Sequence, residues 1–167
     1  MMRPAAPASA MIAAFLLAFL SLGWPDAVRS TPREESLKAG LSRDFCGTFQ
    51  WNGAIEVQDI YIHLDDIWVE ADSRIVALGK GRYVTPVQTT YIDVRWLIDL
   101  ESNRLEMWEL NPSQPGFTID GSHVGTIVDD LTSVEATWTT QGTGAQGTLL
   151  LYACSSATSA VQDRSKS

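Results

Sequence analysis

Cysteine, histidine and clustered positive charge are all scarce in this chain of 167 residues. Its two cysteines, Cys46 and Cys154, cannot build a cysteine-dense scaffold. Standing ~110 residues apart, they also lack the ligand spacing of a zinc site. Its two histidines, His63 and His123, offer little to a metal cluster. Lysine and arginine number 12 against 20 acidic residues, which gives a net charge of −8. The cations are scattered, and an acidic surface repels phosphate backbones, so nucleic acid is excluded as a partner.

Several chemical motifs are missing as well. Asp120-Gly121-Ser122-His123 is not a Gly-x-Ser-x-Gly elbow. Gly79-Lys80-Gly81 has neither Walker spacing nor a following helix. Asp65-Asp66 and Asp129-Asp130 read as turns without the ligand series of an EF-hand. No cofactor is implied by any motif.

No apolar run reaches the ~20 residues of a membrane span. The longest begins at Met11, behind Arg3, and stops before Gly23-Trp24-Pro25. A short apolar run behind a positive charge, with small residues at Ala27 and Ser30, is the pattern of an export signal. The expected organisation is a signal peptide over residues 1–30, a polar lead-in over 31–43, a folded domain over 44–154 and a disordered Ser/Ala-rich tail over 155–167. The lead-in has the makings of one or two helical turns from Glu34, but reads chiefly as a mobile segment. Export places the two cysteines in an oxidising compartment, where an even count reads as a Cys46–Cys154 disulfide. The expected location is periplasmic or extracellular.

Between those ends the chain alternates as strands do. Residues 89–100 set Ile92, Val94, Trp96, Ile98 and Leu100 against Asp93, Arg95 and Asp99, the period of an antiparallel strand with one buried face. Further strands are expected at 44–51, 54–64, 67–70, 74–84, 104–110, 117–128, 131–140 and 147–154. The apolar parity changes near Asp59, which predicts a bulge there. Between residues 100 and 105 a two-residue turn at Ser102-Asn103 is expected, which sets Leu100 opposite Leu105 and Glu109 beside Trp96. Short turns imply an all-β, antiparallel up-and-down meander of about eight strands. Cys46 and Cys154 both fall on outward faces of the first and last strands. A bridge needs Cα atoms within about 7 Å, so those strands should be neighbours. A closed or nearly closed barrel is therefore expected, with a β-sandwich as the alternative.

An early Gly-x-aromatic strand, Gly47-Thr48-Phe49 running to Trp51, and a closing strand, Gly147-Thr148-Leu149-Leu150-Leu151, resemble the calycin group of lipocalin- and avidin-like barrels. Phe49 stands where the lipocalin pattern has tryptophan. The resemblance implies a cup for a small molecule and no particular ligand.

Candidate ligand-binding residues are Tyr83, Trp96, Glu109, His123 and Trp138. His123 lies on a predicted inward face with Phe117, Ile119, Gly121, Gly125 and Ile127, and flanking glycines would leave space beside it. The glycines of Gly79-Lys80-Gly81 would either hollow the interior near Tyr83 or bend the sheet. Glu109 is a partly buried carboxylate that could meet His123 or a ligand. The expected partner is an apolar or amphipathic small molecule. One alternative is a packed module that acts through Tyr61, His63, Lys80, Arg82 and Tyr152, or inhibits with its lead-in. A second is an enzyme using His123 and Glu109 as an acid–base pair.

Overall fold

Period-two alternation produces a closed barrel. The computed structural model describes residues 32–70, 73–128 and 130–154. The expected signal segment and the tail lie outside the described residues. After a short helix, α1 (Pro32–Gly40), come eight strands: β1 (Asp44–Trp51), β2 (Val57–Glu70), β3 (Arg74–Val84), β4 (Thr89–Asp99), β5 (Arg104–Leu110), β6 (Gly121–Val128), β7 (Ser133–Thr140) and β8 (Gln146–Ala153). Each strand pairs antiparallel with the next, and β1 closes the ring on β8. The seam runs from Phe45 opposite Ala153 to Trp51 opposite Gly147. The Cys46–Cys154 disulfide staples it, with the two Cα atoms 5.3 Å apart.

The inward parity of each strand supplies the core. Ile92, Val94, Trp96 and Ile98 from β4 meet Leu105 and Met107 from β5, Val134 and Ala136 from β7, and Leu149 and Leu151 from β8, all buried. Phe45 lies against Trp96 with ring centroids 4.9 Å apart. Each of the larger aliphatic side chains contributes roughly 1.5–3 kcal/mol by leaving water. Outward positions carry charge, as in the Lys80–Asp93 pair at 3.1 Å. The Asn111 amide and Lys80 bond the Asp93 carboxyl and hold it below its ordinary value.

The structure corrects several local expectations. Asp65-Asp66 is not a turn, because β2 runs unbroken through it. The bulge sits there too, between Leu64 and Asp66, rather than near Asp59. The Arg43 guanidinium donates to the Leu64 and Asp65 carbonyls at 3.0 and 2.7 Å, which satisfies backbone acceptors where the register slips. Ile55 is 97% exposed and Val57 47%, so the apparent parity change at Asp59 marked solvated apolar residues before the barrel wall begins in earnest. Strand β6 starts at Gly121, not at residue 117.

The β4–β5 hairpin has a longer loop than expected. Asp99 pairs with Arg104, so Ile98 faces Leu105, Trp96 faces Met107, and Glu109 faces Val94. The Asp99 carboxylate accepts from the Glu101 and Ser102 amides, and Asn103 takes φ 55°, which closes a four-residue loop. Those amide bonds hold the Asp99 carboxyl below its ordinary value. The polar lead-in forms helix α1 over nine residues, in keeping with the helical turns its sequence allows.

The inward glycines do not hollow the barrel. A Cβ built on Gly79 would lie 2.0 Å from the His63 carbonyl oxygen, and one on Gly125 2.0 Å from that of Glu135. These are sites of close backbone approach, where neighbouring strands occupy the room a side chain would need.

Candidate functional site: an aromatic cavity around Glu109

The barrel opens where β5 outruns β6. Strand β5 stays paired with β4 as far as Leu110 opposite Asp93, but with β6 only as far as Met107 opposite His123. Past that point the chain leaves the sheet through Asn111 (φ 50°) and turns at Gly116 (φ 80°), a backbone conformation that suits glycine. The turn brings Phe117 back over the opening, with its ring 5.3 Å from that of Tyr83. Between this segment and the barrel wall lies a cavity of about 170 Å³. Its lining is Phe49, Trp51, Gln58, Tyr83, Glu109, Gly116, Phe117, Thr118 and Trp138.

Three buried polar side chains converge at its base. The Tyr83 hydroxyl donates to Glu109 Oε1. His123 Nε2 lies 2.9 Å from the same oxygen, and with its hydrogen on Nε2 the imidazole donates there as well. Glu109 is 4% exposed and His123 1%. A carboxylate so deep is costly unless hydrogen bonds replace its lost water, and these two donors do so in part. Burial pushes the Tyr83 phenol well above its ordinary value, and the neighbouring Glu109 carboxylate raises it further. Tyr83 thus stays a neutral donor. Among the described residues, His123 Nδ1 and Trp138 Nε1 are buried without a hydrogen-bond partner, and the imidazole's one hydrogen bond there is to Glu109.

The walls are aromatic. Phe49 stands edge-on to Trp51, Tyr83 and His123, at centroid distances of 5.2, 5.8 and 5.7 Å. Trp138 packs 5.6 Å from Trp51 and 5.4 Å from His123. A wider hollow of about 720 Å³ lies beside α1, lined by Ser36, Leu100, Ile127 and Leu131 among others. None of the buried polar residues lines it, so the Glu109 cavity is the stronger candidate.

Neither a protein-family model nor a curated protein matches the chain.

Of the residues singled out from sequence, Tyr83, Glu109 and Trp138 line the cavity, and His123 supports Glu109 from behind. Trp96 is not brought to it; the indole is fully buried against Phe45 in the core. His63 stays on the outer surface and bonds Asp44 at 2.7 Å. Sequence reasoning missed Phe49, Trp51, Gln58, Phe117 and Thr118. Phe49 and Trp51 did share the inward parity of β1, and Gln58 shares that of Ile60, so a signal existed for these three. Phe117 was read on the inward face of a strand with His123, and it reaches the cavity from the loop before β6 instead.

Proposed function

We propose that this protein is an exported barrel that binds a small organic molecule in the aromatic cavity around Glu109. One observation carries the reading: a cavity of about 170 Å³ with aromatic walls and a hydrogen-bonded, almost fully buried carboxylate. Such a volume is close to the ~150 Å³ cavity that holds a benzene ring, and well below the ~300 Å³ or more of sites for drug-sized ligands. A compact, single-ring-sized molecule with apolar surface fits it, and a long-chain lipid tail does not. The disulfide and the short apolar leader support a periplasmic or extracellular place of action. The calycin-like strand pattern supports the cup. The acid–base reading draws less support, because His123 does not line the cavity where a substrate would sit.

Native mass spectrometry of the exported, oxidised protein tests the proposal. The expected spectrum shows a small adduct that is lost when Thr118→Trp fills the cavity from its exposed rim. An adduct-free spectrum from the native host's own exported material, with no retention of any small molecule after incubation in culture extract, would overturn it.

A further inference from the structure

Resting on that reading, we infer that the ligand is a small organic cation with an alkylated ammonium head, bound between the aromatic faces and the Glu109 carboxylate. Five of the nine lining residues are aromatic: Phe49, Trp51, Tyr83, Phe117 and Trp138. Their rings meet at varied angles, 82° for Phe49–Trp51, 79° for Phe49–Tyr83, 44° for Tyr83–Phe117 and 35° for Trp51–Trp138, and do not form one parallel stack. The π face of each ring is electronegative and attracts a cation, most strongly where water is excluded. Among the described residues that line the cavity, Glu109 is the only charged one. Its Oε1 takes both internal hydrogen bonds, which leaves Oε2 outside that network. A cage of rings around one carboxylate has a complement of one kind: a weakly hydrated positive charge with a methyl-covered surface. An anion would meet Glu109 with no compensating lysine or arginine on the lining. The chain's net charge of −8 also favours the approach of cations.

The test is calorimetric titration of the oxidised exported protein with choline and, in parallel, with dimethylbutanol, the uncharged molecule in which carbon replaces the quaternary nitrogen. Choline is expected to bind at least about tenfold more tightly than dimethylbutanol. Glu109→Gln, close in shape but uncharged, is expected to abolish that preference. Trp51→Leu serves where the first variant fails to fold, since the site is at the half-buried rim; it should weaken choline more than dimethylbutanol, because leucine keeps the apolar contact and loses the π face. Alkylammonium heads occur on free solutes and on choline lipids. Phosphatidylcholine vesicles that retain the protein, with release by free choline, assign the head to a lipid. Choline binding without such retention assigns it to a solute. Equal affinity for the two probes, or binding of glucose but not choline, overturns the cation and leaves the small-molecule reading standing. So does a native-mass adduct on protein that ignores choline. Loss of the adduct as well would remove both.

Discussion

At the scale of single residues, Tyr83, Glu109 and His123 act as a unit. Both donors converge on one carboxylate oxygen. Glu109→Leu would leave a buried hydroxyl and a buried imidazole N–H without an acceptor, at a cost of about 2–6 kcal/mol. Urea denaturation of the variant checks this. Tyr83→Phe removes one donor to a charged group, and about 1.5–3 kcal/mol is the expected loss at neutral pH. The tyrosine also sets an alkaline limit. Its folded-state pKa is raised, so its contribution to stability is complete below the unfolded value of about 10 and is lost as pH rises through the raised folded value. The urea midpoint of the native protein should therefore fall more steeply above pH ~10 than that of Tyr83→Phe. Identical pH profiles for the two would refute the assignment. The contact between Glu109 and His123 was within reach of sequence reasoning, because parity alone put both inside. Their neighbours were less legible. Trp96 has the same parity as Glu109, yet sits deeper along the barrel axis, and parity says nothing about depth.

At the scale of elements, close backbone approach shapes the wall. Gly125→Ala would place a methyl against the Glu135 carbonyl and the Ala136 Cβ, so overpacking of about 1–3 kcal/mol or more is expected. Gly40→Ala at the end of α1 meets nothing within 4 Å and should change stability by less than about 0.5 kcal/mol. Thermal unfolding of the two variants side by side measures the contrast. Strand identity was largely legible from alternation, as residues 89–99 illustrate, since every second side chain there is buried. Junctions were not. Asp65-Asp66 reads as a turn because adjacent acids favour turns, but a bulge also needs two successive outward residues, and only the partner strand and Arg43 decide between them. The β4–β5 register depended on Asp99 capping its own loop, a side-chain-to-backbone bond that hydrophobic pattern cannot report. The segment 111–120 was legible as a loop at its start, from Asn111-Pro112, but its return to Tyr83 is a tertiary contact.

At the scale of the molecule, closure is everything. The two strands that share the seam lie at opposite ends of the domain, and the disulfide links residues 108 apart in sequence. In the chain-entropy view, closing so long a loop stabilises the fold by about 4–5 kcal/mol. The Cys46→Ser, Cys154→Ser double variant should lose that amount in denaturant titration while keeping the strand signature in circular dichroism. The sequence favoured barrel over sandwich because outward parity in both end strands lets the sulfurs meet when those strands are neighbours. The cavity was not legible, since it arises where β5 has no β6 partner, and pairing lengths are set by the whole ring. No helix among the described residues is long and apolar enough to cross a membrane.

A high-resolution crystal structure of the disulfide-bonded protein addresses the hollow end of the barrel most directly. The expected result is a void of about 170 Å³ bounded by Phe49, Trp51, Tyr83, Phe117 and Trp138, with ordered non-protein density against Glu109. Collapse of Phe117 onto Trp138, with side chains filling the space and no volume beyond that of a single water, would contradict it.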